Sequence, residues 1–303
     1  MRVFVTGASG LIGKAVTKEL LGGGHTVLGL ARSDKAAEEL TALGADVQRG
    51  SLYDLDVLKE GAAASDGVIH LAFDFVHGFT NFAQSCQTDQ EAIRAMADAL
   101  AGSNRPLIIT SVTMVLPHGR TGTEDESHDI SSPTTAVRGE SEVLAKGLAS
   151  KGVRTAVVRL APTNHGDGDD HMFMSTLISI AREKGTSVYV GDGLNRWPAA
   201  HYLDTAVVYR LALEKADAGS TFHAVAEEGI EMKNIAQMIG EKLGLPVESK
   251  SLEEAQKHFG PVFGSIVGAD NPVSNKKTQE ELGWNPQQCT LLADLQDGKY
   301  FKS

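Results

Sequence analysis

Gly7-Ala8-Ser9-Gly10-Leu11-Ile12-Gly13 is the segment whose residue types and spacing speak most directly of chemistry. Three glycines at this spacing divide the work of holding a pyrophosphate. Gly7 makes a tight turn, Gly10 lets phosphate approach the backbone, and Gly13 lets the following helix pack closely on the preceding strand. The helix that starts here offers unpaired N–H groups and the positive end of its dipole to the phosphates, so Ser9, Leu11 and Ile12 are cofactor-site candidates as well. Downstream, Leu30-Ala31-Arg32-Ser33-Asp34 ends a second apolar run. An acidic residue at that point would accept from adenosine ribose hydroxyls and repel a 2′-phosphate, whereas a cation accommodates one. Arg32, with Ser33 able to donate to the same phosphate, favours NADP(H) over NAD(H). Asp34 stands close by, and a solvated surface arginine is the plainer reading.

Those residues need a strand, a turn and a helix in the right order. Val3 to Thr6 is a short buried strand, and Ile12, Ala15, Val16 and Leu20 then recur at i, i+3, i+4 and i+8 on one helix face. Gly22-Gly23-Gly24 ends that helix, Thr26 to Ala31 forms the second strand, and a helix covers Asp34 to Leu43. Further strands are expected at Ala45 to Gln48, Gly67 to Leu71, Leu107 to Thr110 and Arg154 to Leu160, with helices at Asp89 to Leu100 and Thr134 to Ser150. Strands alternating with helices predict a Rossmann-type doubly wound parallel sheet, an α/β fold. The stretch Thr163 to Asp170, rich in Gly and Asp, reads as a loop or junction. Beyond it come a helix from Met172 to Lys184, a strand at Ser187 to Val190 and a helix from Asp204 to Lys215 with Asp204 as its N-cap. Small helices follow at Met232 to Leu243 and Lys276 to Leu282, ended by Gly244 and Gly283. This divides the chain into a dinucleotide-binding domain over 1–164 and a smaller substrate-binding region over 165–303, which partly returns to the main sheet near 198–226.

Charge and composition bound the partners. The chain has 303 residues, 28 Lys+Arg against 39 Asp+Glu and a net charge of −11, which disfavours nucleic acid and anionic membranes. Cys86 and Cys289 give neither a disulfide framework nor a metal spacing, so no metal is expected and a reducing compartment fits. The first residues are too interrupted by glycine and lysine for a signal peptide, and no apolar window is long enough to span a membrane. The expectation is a cytoplasmic protein acting on a small molecule.

Taken together, Thr6 through Gly13, Val68-Ile69-His70-Leu71-Ala72, Thr110-Ser111, Arg159 through Gly166 and His201-Tyr202-Leu203-Asp204-Thr205-Ala206 resemble the atypical and extended short-chain dehydrogenase/reductase superfamily. That superfamily holds nucleotide-sugar epimerases and dehydratases as well as ketone and aldehyde reductases. The resemblance implies that Leu71 and Ala72 line the cofactor, that residues after Arg159 approach the nicotinamide, and that Ser111 hydrogen-bonds a substrate carbonyl. It also exposes a departure. Where such enzymes carry Tyr-x-x-x-Lys, with a Glu four residues on, this chain has Thr134, Arg138 and Glu142 on one helix face.

Arg138 can keep a ribose contact but cannot donate a proton, and an unassisted threonine hydroxyl is a poor acid. A helix-surface pair between Arg138 and Glu142 is the bland alternative. Proton transfer then falls to another group. Ser111, Thr113, His118, His165, His201 and Tyr202 lie in reach of the expected cleft, with Thr113 sharing the face of Ser111 if the strand continues. His165 titrates in a suitable range, and strand alternation lets only one of His201 and Tyr202 face the cleft. Trp197 takes the place of an arginine that grips sugar-nucleotide phosphates in the superfamily, which points to an apolar substrate; core filling between the domains is the other reading. Phe73, Phe75, Phe79 and Phe82 form an apolar wall or pack in the core. Two functions remain open: an NADP(H)-dependent reductase of a small apolar ketone or aldehyde, or a redox sensor that binds NADP(H) without turning it over. An epimerase or dehydratase is disfavoured by the missing Tyr and Lys.

Overall fold

A computed structural model describes residues 1–74, 81–169, 173–297 and 300–301. Phe75, Phe79, Asp170 and Met172, named above, lie outside the described residues. The first half alternates β1 (Arg2–Thr6), α1 (Leu11–Gly22), β2 (Thr26–Ala31), α2 (Asp34–Ala42), β3 (Asp46–Arg49), α3 (Leu55–Ala63), β4 (Gly67–His70), α4 (Phe82–Leu100), β5 (Pro106–Val112), α5 (Pro133–Leu148) and β6 (Arg154–Leu160). The second half holds β7 (Thr163–His165), α6 (Phe173–Lys184), β8 (Ser187–Val190), β9 (Arg196–His201), α7 (Tyr202–Lys215), β10 (Ser220–Ala224) and β11 (Glu227–Glu231). It continues with α8 (Met232–Leu243), β12 (Val247–Lys250), α9 (Leu252–Phe259), α10 (Pro261–Val267), α11 (Lys276–Leu282) and α12 (Leu291–Asp297).

Seven parallel strands form the central sheet in the order β10-β6-β5-β4-β1-β2-β3. The chain direction across the sheet reverses between β1 and β4, and that switch point opens a crevice at the carboxyl ends of the strands. Both faces are covered, which is why the strands read as nearly continuous apolar runs. Val3, Val5, Val16 and Leu20 pack on one face with α7, while Phe4, Val68, Ile93 and Met96 pack on the other with α4. A three-stranded sheet, β11-β9-β7, and a pair, β12-β8, build a separate C-terminal core around Trp197, Ile235 and Leu291. Among the described residues no helix is long and apolar enough to cross a membrane.

Three local expectations are corrected. Helix α4 begins at Phe82 rather than Asp89, and Asp89 is buried in its middle. The N-cap of α7 is His201, whose Nδ1 accepts from the Leu203 N–H at 3.2 Å, while Asp204 accepts from the backbone N–H groups of Gln287 and Gln288. Strand β5 stops at Val112. Thr113 therefore starts a turn of 3₁₀ helix instead of continuing the face of Ser111.

Candidate active site

Backbone geometry explains each end of the glycine turn. Gly7 has φ +68°, and a Cβ on it would lie 2.7 Å from the Ala72 nitrogen. At Gly13 a Cβ would lie 2.0 Å from the Gly7 carbonyl oxygen, so α1 sits directly against the turn. The Gly10 N–H donates to Gly7 O at 3.1 Å, and as N-cap Gly10 brings no side chain to satisfy the first N–H groups of α1. Those groups are left for an anion, so the turn fits a dinucleotide pyrophosphate. Leu71 and Ala72 follow β4 beside it. Their N–H groups donate to Thr6 O at 3.3 Å and Thr6 Oγ1 at 3.2 Å, which fixes the far wall of the crevice.

The adenosine end holds more than Arg32. Arg32 and Ser33 are both exposed just past β2. Ser33 is the N-cap of α2, its Oγ accepting from the Ala36 N–H at 3.2 Å, which still leaves the hydroxyl hydrogen to donate. The register of β2 and β3 places Arg49 beside Ala31, and Arg49 donates to Asp34 Oδ1 at 2.7 Å and to Ser33 O at 2.5 Å. The acidic residue near the β2 end is thus paired with a second arginine. Arg49 is not legible in the sequence as a partner of Asp34, because their nearness depends on strand register.

Helix α5 carries the largest surprise. Arg138 and Glu142 do not pair with each other on a surface; both are buried, each against a partner from another element. Arg138 Nη1 donates to Asp89 Oδ2 at 3.1 Å, Nη2 donates to Thr110 O at 2.5 Å, and the guanidinium lies 5.0 Å over the Phe73 ring. Asp89 Oδ2 also accepts from Ser141 Oγ at 2.6 Å, and Oδ1 lies 3.2 Å from His70 Nε2, whose Nδ1 is 2.7 Å from Thr6 Oγ1. Burial alone would raise the Asp89 pKa, but Arg138, His70 and Ser141 outweigh it and hold it below the ordinary range. This chain of contacts joins β1, β4, β5, α4 and α5 directly beneath the crevice. Thr134, at the position of the missing phenol, is exposed.

A second buried network lies beside the first. Arg159 grips Glu142 with Nε at 2.9 Å and Nη2 at 2.6 Å, and its Nη1 donates to His223 Nε2 at 3.3 Å. His223 Nδ1 in turn lies 2.7 Å from Ser274 O. Burial, and then the adjacent Arg159 cation, push His223 from its ordinary 6.5 down to about 3. Below pH 6.5 the unfolded chain binds a proton that the folded chain refuses. Stability is therefore expected to fall by up to about 1.4 kcal/mol per pH unit on acidification from 6.5 toward 3. Urea denaturation at pH 7 and pH 5 would measure the loss, and His223→Gln should flatten the slope; an unchanged slope contradicts this account.

The other candidates separate sharply. Ser111 is fully buried; burial would raise the carboxyl of Glu142 on α5, but Arg159 outweighs it and holds that carboxyl low. Thr113 Oγ1 donates to Asn271 Oδ1 at 2.8 Å, and the Asn271 amide returns to Thr113 O. His165 is fully buried, with Nδ1 2.9 Å from Asp294 Oδ2, and burial depresses its pKa despite that carboxylate. His118 is exposed. Trp197 is fully buried in the C-terminal core, 5.6 Å from the Phe173 ring, and so fills the core rather than walling a cleft. Phe73 and Phe82 lie 6.0 Å apart.

His201 and Tyr202 do not alternate across a strand, because the strand ends between them; their rings stack at 4.8 Å and 26°. Tyr202 is half-buried at the first position of α7. Against it runs the loop after β7. A Cβ on Gly166, φ +134°, would lie 2.4 Å from the Tyr202 ring, and one on Gly168 would lie 3.6 Å from Leu11 of the glycine turn. Tyr300 secures that loop, accepting from the Gly166 N–H at 3.0 Å and donating to Asp169 Oδ2 at 2.9 Å. Among the described residues no His, Cys, Asp and Glu cluster is arranged to hold a metal ion.

The profile of the NAD dependent epimerase/dehydratase family matches residues 3–226, from β1 to just past β10. The chain belongs to that family. An uncharacterized protein of Schizosaccharomyces pombe is 49% identical over 99% of this chain and 100% of its own length. The 4-hydroxy-2-methyl-3-oxo-4-farnesyl-3,4-dihydroquinoline-1-oxide ketoreductase of Stigmatella aurantiaca is 29% identical over 94% of this chain and 92% of its own. Among solved structures, the dTDP-glucose 4,6-dehydratase of Streptomyces venezuelae with NAD bound superposes with a TM-score of 0.78 at 20% identity, covering 100% of this chain and 97% of that one. This chain thus has the doubly wound NAD(P)-binding fold of its family, and an oxidoreductase stands among its sequence relatives.

Proposed function

We propose that this chain is an NADP(H)-dependent oxidoreductase that reduces a small apolar ketone or aldehyde by hydride transfer. The observation that carries the cofactor choice is the adenosine end, where Arg32 is exposed while the adjacent Asp34 is paired with Arg49. The ketoreductase relative, whose name specifies a farnesyl-bearing oxo compound, supports an apolar ketone as the substrate class. Bound NADPH supplies the hydride, and the protein must supply the proton. With Thr113 and His165 buried and bonded, Tyr202 is the proposed donor. It is half-buried, it has the chemistry of the absent phenol, and a helix N-terminus stabilises the phenolate it leaves. A second reading, a chain that binds NADP(H) without turning it over, is favoured by the burial of Ser111, Thr113, Arg138 and His165 together.

One assay separates the two. NADPH oxidation followed across a panel of alkyl and aryl ketones and aldehydes should reveal turnover that Tyr202→Phe lowers by 10²-fold or more. A silent panel with NADPH bound overturns the reductase reading. In the same assay Arg32→Asp should weaken NADPH at least tenfold while sparing NADH, and equal affinities before and after would overturn the cofactor choice.

A further inference from the structure

We infer that Tyr53 and Asp74 form a clasp across the adenosine half of the cofactor crevice, with Tyr53 a positioning residue that governs cofactor entry and exit. The inference deepens the proposed function in that it rests on a dinucleotide lying across the switch point, but it depends neither on NADP preference nor on catalysis. Tyr53 stands four residues past the end of β3, and Asp74 four residues past the end of β4. In the sheet those strands are separated by β2 and β1, in the order β4-β1-β2-β3. The clasp therefore bridges about 14 Å of sheet edge, three spacings of roughly 4.8 Å. Beneath it end the two strands that present the glycine turn and Arg32, where the adenosine half of a dinucleotide crosses.

Tyr53 Oη donates to Asp74 Oδ2 at 2.6 Å, a length typical of a hydroxyl on a carboxylate. Asp74 is 6% exposed and Tyr53 59% exposed, so an external residue reaches inward to a buried carboxylate. That bond is the main cause of a raised Tyr53 pKa, and Arg32 is near enough for its charge to oppose the rise. Tyr53 and the exposed Arg32 thus lie at the same end of the crevice. A large exposed aromatic costs side-chain freedom when it is held in one place, and core packing does not account for holding it.

Because the clasp is closed in the protein as it stands, it acts as a barrier in both directions. Tyr53→Phe keeps the ring and removes the bond, and the exposure of the side chain makes loss of folding no concern. Stopped-flow fluorescence of NADPH and of NADH binding should then show association and dissociation both faster, by roughly tenfold, which corresponds to about 1.4 kcal/mol. Kd should stay within about twofold. Asp74→Asn, which keeps an acceptor without the charge, should accelerate both rates less. If both rates are unchanged in Tyr53→Phe, or only one of them rises, the clasp is wrong: the first result makes Tyr53 a bystander, and a rise in dissociation alone makes it a simple ligand. Failure of the reductase reading would appear instead as absent turnover, with these rates still measurable.

Discussion

Arg138→Met is expected to destabilise the protein by about 3–5 kcal/mol, the loss that follows when one partner of a buried ion pair is removed. The reason lies in Asp89. Its carboxylate is buried in the middle of α4, and without the guanidinium it keeps, among the described residues, Ser141 and His70. Thr110 O loses the Arg138 donor at the same time, and Phe73 loses the cation over its ring. Thermal unfolding should register a drop on the order of ten degrees. Adding Asp89→Asn to the Met variant should recover part of the loss, because a neutral amide still accepts from Ser141 without needing a counter-charge.

Arg138→Lys divides two roles. If Arg138 serves as the ribose ligand, as the superfamily resemblance implies for the lysine position, the Lys variant should keep NADPH affinity and stability. The network predicts otherwise, since one ammonium cannot reproduce a planar fork reaching Asp89 and Thr110 O from two nitrogens. The Lys variant should then be less stable by one to a few kcal/mol, with cofactor affinity little changed. Wild-type stability with NADPH affinity lost in Arg138→Met would return the residue to the ribose.

The parts of this molecule legible from sequence are those written in local pattern. The strand, glycine turn and first helix were readable because periodicity and the turn chemistry of Gly7 and Gly13 agree over a dozen residues. Asp89 was not readable in the same way. An aspartate ahead of an apolar stretch looks like a helix start, and only the packing of α4 against α5 makes it the acceptor of Arg138. The i, i+4 relation of Arg138 and Glu142 was visible, but each is turned to a different neighbour, Asp89 in one case and Arg159 in the other. Thr113 and Trp197 misled for a related reason. Their types fit a cleft, whereas Asn271, far along the chain, and Phe173 in the C-terminal core claim them. Signals for the rest did exist. His70 is an ionisable residue inside an apolar strand, a position that requires a buried partner, and its partner is Asp89.

Gly13→Ala should abolish measurable cofactor binding, a loss of at least a hundredfold in affinity, and should lower stability as well. The methyl group would stand 2.0 Å from the Gly7 carbonyl oxygen and 2.8 Å from two backbone atoms of Ala8. None of these is the movable end of a side chain, so the turn or the helix has to shift. Either shift disturbs the phosphate site: the turn at Gly7 is packed so closely on the crevice wall that a Cβ there would lie 2.7 Å from the Ala72 nitrogen, and the Gly10 N–H is bonded to Gly7 O. A displacement of about 1 Å at Gly7 therefore misaligns the N–H groups of α1 and pushes on the wall formed by Leu71 and Ala72 at once. Gly10→Ala provides the contrast. Its Cβ would meet only Gly7 O, at 3.4 Å, so the free protein should fold normally, and any loss of NADPH affinity reports how closely the phosphate approaches. Fluorescence titration of NADPH beside thermal unfolding separates the two effects. A Gly13→Ala protein that binds NADPH like wild type would mean that α1 is not seated against the turn as the structure places it.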